Sequence, residues 1–260
     1  MSRGRSVPRL VSRLAAPVVG VALFLTAWET LVRWGDVRPF VLRSPSRILG
    51  YVLDHPADFA GAAWVTAQHA VIGSAVALLA AIALGAALAA SRFLEHAAAP
   101  VLTLLQVTPF VAYIASVVLW LGAGTRPAVF LVAVVCVPGF TFAAVDGMRG
   151  ADPAARELLR SVDASRFEVL WRLRLPSALP SLFTSARYHV GLALIAAYLV
   201  EGGNFADEGL GAIGKRAVAL NEGDALWGAI VVMALLGMLG LMAVGVAQRA
   251  TLHWHASQRR

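Results

Sequence analysis

The sequence predicts an all-α integral membrane protein with about six transmembrane helices and both termini in the cytoplasm. Three observations predict it. The chain of 260 residues is 59% hydrophobic and only 14% charged, with a mean hydropathy of +0.73. One soluble core cannot bury so much apolar surface, so lipid must solvate the rest. The apolar residues also gather into runs near ~20 residues, the length at which a helix crosses about 30 Å of hydrocarbon. Finally, the basic residues are unevenly shared among the segments between these runs.

A tail over residues 1–16 carries Arg3, Arg5, Arg9 and Arg13, and the first run, Pro17 to Val32, follows it. A basic start before an apolar stretch also suits a secretory signal, but Leu25-Thr26-Ala27-Trp28-Glu29 is no small-x-small cleavage site, so the run is read as a span. The second run is Trp64 to Ala90, the third Pro100 to Leu121 and the fourth Pro127 to Val145. Only a tight hairpin over Gly122 to Arg126 fits between the last two. The fifth run, Leu182 to Val200, and the sixth, Ala225 to Ala247, complete a transmembrane unit over residues 17–250, with a tail over 251–260. Ala and Gly dominate several runs and favour close helix approach in lipid, where association depends on packing. The lone Cys136 falls in the fourth run and reads as a packing residue, with no disulfide framework.

Basic residues in short loops are retained on the cytoplasmic side. With both termini inside, 15 of the 22 basic residues lie in cytoplasmic segments, seven of them from Arg149 to Arg187. The outer segments keep seven, matched there by eight acids. The net charge of +7 is thus a topology signal, and the composition argues against a nucleic-acid partner.

Between the fourth and fifth runs lies Asp152 to Pro180, too polar to cross lipid and too amphipathic to be a plain loop. Asp152 suits an N-cap with Pro153 in the first turn, which predicts a helix to about Val162. Asp163-Ala164-Ser165 predicts a turn, and Ser165 caps a second helix, Arg166 to Arg174, expected to stop at Pro176. Both mix apolar residues (Leu158, Leu159, Val162; Phe167, Leu170, Trp171) with charge. Such a pair suits docking of an apolar knob into a soluble partner.

At these residues the chain resembles the permease subunits of bacterial ABC importers, most closely the branch handling nitrate, taurine and aliphatic sulfonates. The match runs through Glu157-Leu158-Leu159, Arg160, Asp163, Ala164 and Arg166 to Leu175-Pro176, with coupling assigned to residues 152–176. Leu119-Trp120-Leu121-Gly122 and Gly209-Leu210-Gly211 add to it, and similarity covers about residues 66–250. The resemblance implies a type I importer permease fold in a bacterial inner membrane, with the 152–176 segment as a coupling-helix pair. It implies two copies of a separate ATPase that holds ATP and Mg, so this chain binds no cofactor and performs no catalysis. It further implies a second permease subunit, identical or paralogous, and an extracytoplasmic solute-binding protein. The cargo implied is a small polar solute of the nitrate, taurine or sulfonate class, or alternatively a pyrimidine-type vitamin precursor. Departures stand at Asp163, where relatives have glycine, at Leu158 and Leu159, where they have alanines, and at Ala115, where many have proline. Gln106 replaces an arginine found in many relatives, which favours a less anionic cargo.

Gly209-Leu210-Gly211-Ala212-Ile213-Gly214-Lys215-Arg216 satisfies G-x-G-x-x-G and most of a phosphate-loop pattern. A phosphate loop follows a strand and offers Ser or Thr after the lysine, so this stretch is read as a loop packed on the external mouth. His253 and His255 lack the further ligands a metal site needs, and Trp254 suits an interfacial anchor.

Polar residues at membrane depth are costly and point to a solute path. Gln106, Thr108 and Tyr113 flank Pro109, which frees a backbone carbonyl and bends its helix. Gln68, His69, Tyr188 and His189 are further path candidates, though each taken alone is better suited to hydrogen-bonding between helices. Glu29 and Glu201 near the outer ends are read as interfacial. An intramembrane enzyme would need a convergent nucleophile and base or a metal cluster, and no H-E-x-x-H or G-x-S-x-G is present. An ion-coupled carrier would need carboxylates deep in the second to sixth runs, where none is expected.

Overall fold

The structure is a computed structural model that describes residues 7–35, 37, 42–203 and 207–252, with side chains from Ala15 onward. Arg3, Arg5, Asp36, Arg38 and the trio His253, Trp254 and His255 lie outside the described residues, as do the side chains of Arg9 and Arg13.

Helix α1 (Val7–Trp34) includes the first span, and its apolar stretch Ala15–Trp34 buries no residue in this chain. Its outer end is tied by Glu29, whose Oε2 accepts the Ser46 N–H at 2.9 Å, and by an edge-on contact of Trp28 with Trp227. Helix α2 (Pro45–Asp54) is a short amphipathic element not anticipated between the first two runs; its one fully buried residue is Ile48. Helix α3 (Pro56–Ala90) starts a turn or more before the expected boundary at Trp64, because Pro56 opens it and Asp58 suits its N-terminal dipole.

The third run is broken rather than continuous. Helix α4 (Arg92–Val107) and helix α5 (Ile114–Leu121) meet at 85° across Thr108, Pro109 and a 3₁₀ turn at Phe110–Tyr113. The bend anticipated at Pro109 is therefore nearly a right angle. Proline cannot donate to the preceding turn, and Thr108 closes that turn by giving its hydroxyl to the Leu104 carbonyl, 2.7 Å. After the link Gly122–Gly124, helix α6 (Thr125–Arg149) returns through the centre of the bundle.

The charged stretch after α6 holds helix α7 (Pro153–Ser161) and helix α8 (Arg166–Val169), then a π-helical turn at Leu170–Arg174 that runs without interruption into helix α9 (Leu175–Glu201). The expected stop at Pro176 does not occur. The Leu175 N–H donates to the Leu170 carbonyl, one residue further back than in an α-helix. That widened turn admits a proline in the next turn without a clash. Helix α10 (Leu210–Leu220) occupies what was read as an external loop, and helix α11 (Gly223–Thr251) forms the last span.

Among the described residues five helices are long and apolar enough to cross a membrane, and the bent α4–α5 pair makes a sixth if it is counted as one span. Helix α6 packs between α3 and α9 around a core of Ala77, Ala81, Cys136, Phe140, Ala144, Ala178 and Ala196. Small residues set the α3–α6 spacing: a side chain at Gly85 would overlap Ala144. At the end of α6 Arg149 pairs with Glu95 of α4 and donates to the Leu88 carbonyl of α3, 3.1 Å, capping that helix just before the charged stretch begins.

Candidate functional site

The stretch from Asp152 to Pro176 is built by local capping chemistry. Asp152 Oδ1 accepts the Ala154 N–H at 2.9 Å and starts α7. That helix ends when the Ala164 N–H reaches the Leu159 carbonyl, 3.0 Å, and the Asp163 N–H the Arg160 carbonyl, 3.1 Å, with Asp163 left-handed at φ 52°. These are the paired bonds of a Schellman end, in which the left-handed position favours glycine. A reciprocal capping box then opens α8: Ser165 Oγ accepts the Glu168 N–H at 3.2 Å, and Glu168 Oε2 accepts the Ser165 N–H at 2.9 Å. The two short helices are therefore started and ended by bonds within the stretch itself.

What this frame displays is apolar. Leu158, Val162, Phe167 and Trp171 are each about two-thirds exposed, and the Phe167 and Trp171 rings stack with centroids 6.3 Å apart. Glu157, Arg160, Arg166 and Arg172 are exposed around them, while Leu159, Ala164, Leu175 and Pro176 are half-buried at the base. The result is an apolar knob ringed by charge, on a frame ordered by its own caps.

The candidate path residues separate into three places. Gln106, Thr108 and Pro109 are exposed at the α4–α5 break, with Tyr113 half-buried on Val117, Ala128 and Leu131. His189 is buried, stacked on Phe140 at 4.7 Å and bonded through Nδ1 to the Ser185 carbonyl, 2.7 Å. It shares a groove of about 550 Å³ with Tyr188, Ser181, Thr184, Ser185 and Asp146. Sequence reading missed Ser181, Thr184 and Asp146; the spacing of Ser181, Thr184, Ser185 and Tyr188, one helix face, was the available signal. Gln68 is exposed on α3.

His69 stands elsewhere, at the outer end, and revises the reading of Glu201. Far from interfacial, Glu201 is 1% exposed. Its Oε1 accepts His69 Nδ1–H at 2.9 Å, and its Oε2 accepts the Thr66 hydroxyl at 2.7 Å and the Gly211 N–H at 3.1 Å. A buried carboxylate needs such partners, and here they come from two helices, α3 and α10. Beside it an external cleft of about 710 Å³ runs between the start of α3 and α10, lined in part by Tyr51, Asp58, Asp207, Arg216 and Glu222. Burial, reinforced by Glu222, Asp224 and Asp58, pushes the Tyr51 hydroxyl above its usual range, so it stays a neutral donor. The G-x-G-x-x-G stretch does open a helix, but no strand precedes it among the described residues, and Lys215 donates to the Gly203 carbonyl at 2.9 Å. That lysine closes the end of α9.

Comparison with known proteins bears on both faces. The model of a family described as binding-protein-dependent transport system inner membrane component matches residues 73–252. The chain is 31% identical over 258 residues to the riboflavin transport system permease protein RibX of Chloroflexus aurantiacus, covering 96% of this chain and 95% of that one. It is 28% identical over 243 residues to the formylaminopyrimidine transport permease protein ThiX of Halalkalibacterium halodurans, with 93% and 96% covered. To the taurine transport system permease protein TauC of Escherichia coli it is 27% identical over 245 residues, with 90% and 88% covered. The fold is similar to a chain of the MetNI methionine ABC transporter in an inward-facing conformation, with TM-score 0.64 and 18% identity over 73% of this chain and 94% of that one.

Proposed function

This chain belongs to the family of binding-protein-dependent transport system inner membrane components, and from that premise we propose how its parts serve an ABC importer. It is the multi-pass permease subunit. The observation that carries the rest is the exposed knob of Leu158, Val162, Phe167 and Trp171 on its self-capped frame. In our reading a separate ATPase takes this knob, one copy per permease, and ATP and Mg stay on that partner. This places the knob on the inner side of a bacterial cytoplasmic membrane, the side the arginine distribution favours.

Because α8 continues through the π-helical turn into α9, force applied at Trp171 is delivered along one rod to the outer end. The exposed Gln106 and Thr108, and the Tyr188 groove, would be costly against lipid. A second permease subunit facing them makes the path, and a solute-binding protein feeds it from outside. The cargo is a small polar solute of the taurine, sulfonate or nitrate class. The relative that transports formylaminopyrimidine supports a second reading, a pyrimidine-type precursor. Identifying the compound that co-purifies with the binding protein decides between them.

The docking claim is tested by co-purification. Glu157→Lys, or deletion of Ala154 to Arg174, is expected to abolish recovery of the ATPase with the permease while membrane insertion persists. Undiminished recovery in both variants overturns it.

A further inference from the structure

We propose that Glu201, with Thr66 and His69, is the positioning residue that makes α10 move as one body with α9, carrying the motion of the cytoplasmic helix pair to the outer mouth of the path. The proposal rests on the permease reading above.

Glu201 is the last residue of α9, where a carboxylate opposes the helix dipole, and it is nearly fully buried. Both placements are costly, so its partners must compensate for them. The Thr66 hydroxyl does double duty: it donates to Glu201 Oε2 at 2.7 Å and accepts the Leu210 N–H, the first of α10, at 2.9 Å. The Gly211 N–H donates to the same carboxylate oxygen, so α10 begins on Glu201 itself. His69 holds the other oxygen from α3.

The glycine pattern now has a physical reason. Gly209 sits at φ +94°, and a side chain there would overlap the Glu201 carboxylate. One at Gly211 would overlap the Tyr198 carbonyl, and one at Gly214 the Tyr198 hydroxyl. The three glycines let α10 lie directly on the last turn of α9, and Lys215 bonds Gly203 from the other side. Below this joint the helix runs continuously from Arg166 to Glu201. Next to it is a cavity of about 310 Å³ lined by His69, Glu201 and Thr125, and by Asp207 and Glu208 just before α10.

The test uses the permease assembled with its ATPase in proteoliposomes, with Cys136→Ser as background and Leu220→Cys on the exposed end of α10 as reporter. A membrane-impermeant maleimide reports labelling rates without nucleotide and with ATP and vanadate. With the joint intact, nucleotide is expected to change the rate by about fivefold or more. Thr66→Val removes two of the bonds at nearly constant volume, and Glu201→Gln keeps the shape without the charge. Each is expected to abolish the nucleotide response while ATP hydrolysis stays at the level of the reporter protein; thermal stability falls, because a buried polar group loses a partner, but the transporter stays folded and assembled at the assay temperature. A response that persists in both variants overturns the proposal, as does loss of response together with ATP hydrolysis and assembly, which marks a merely structural role. An intact transporter whose reporter never responds overturns it too. If no ATPase assembles with the chain, the permease reading itself fails and this proposal falls with it.

Discussion

Asp163 holds the turn between α7 and α8 in a left-handed conformation, φ 52°, where relatives of the resembled motif carry glycine. Aspartate tolerates this region better than most residues, and glycine gains there in the fold what it loses in the unfolded chain. Asp163→Gly is therefore expected to change stability by less than about 0.5 kcal/mol, whereas the β-branched Asp163→Val costs about 1–2 kcal/mol. Thermal unfolding of the purified permease checks both. Ser165→Ala removes the capping box and is expected to cost about 1 kcal/mol and to loosen ATPase binding. These residues were readable in the sequence because a cap involves neighbours three residues away. Glu201 was not, because Thr66 and His69 stand 135 and 132 residues before it in the chain.

At the scale of elements, proline separates the two outcomes. The sequence predicts a bend at Pro109 and a stop at Pro176, and the structure breaks the helix at the first and continues it through the second. Around Pro109 the chain turns through 85°; before Pro176 a π-helical turn absorbs the missing donor and the helix continues. The exposed residues of the break are expected to act in transport. Gln106→Ala is expected to lower transport up to about tenfold, the worth of one hydrogen bond near 1.4 kcal/mol, with little change in thermal stability. Transport measured in proteoliposomes against unfolding temperature decides, and an equal loss of both assigns Gln106 to packing. The amphipathic α2 and the α10 helix went unread because each is short and its partners come from distant segments: α2 lies on α11, where Arg43 and Arg47 pair with Asp224, each at 3.0 Å.

For the whole molecule the testable statement is orientation. In the Cys136→Ser background, a cysteine replacing Ser165 is expected to resist an external membrane-impermeant maleimide until the membrane is permeabilised, and one replacing Asp207 to label at once. The reverse pattern inverts the topology and moves the exposed knob to the wrong side for a cytoplasmic ATPase. Placement of α6 between α3 and α9 also accounts for the mass of small residues in those helices. At Gly85 and Ala144 the backbones approach too closely for anything larger.

Composition and apolar run length were enough to make this a helical membrane protein, because lipid thickness imposes one length on every span. The caps at Asp152 and Ser165 were equally open to reading, since their chemistry is complete within a few residues. Tertiary structure alone decided that α8 and α9 form one rod, that the third run is broken into a near right angle, and that the glycine-rich stretch is a helix seated on Glu201. Each of these depends on which distant atoms meet a proline's missing donor, a buried carboxylate or a bare glycine backbone, and no local pattern encodes that meeting.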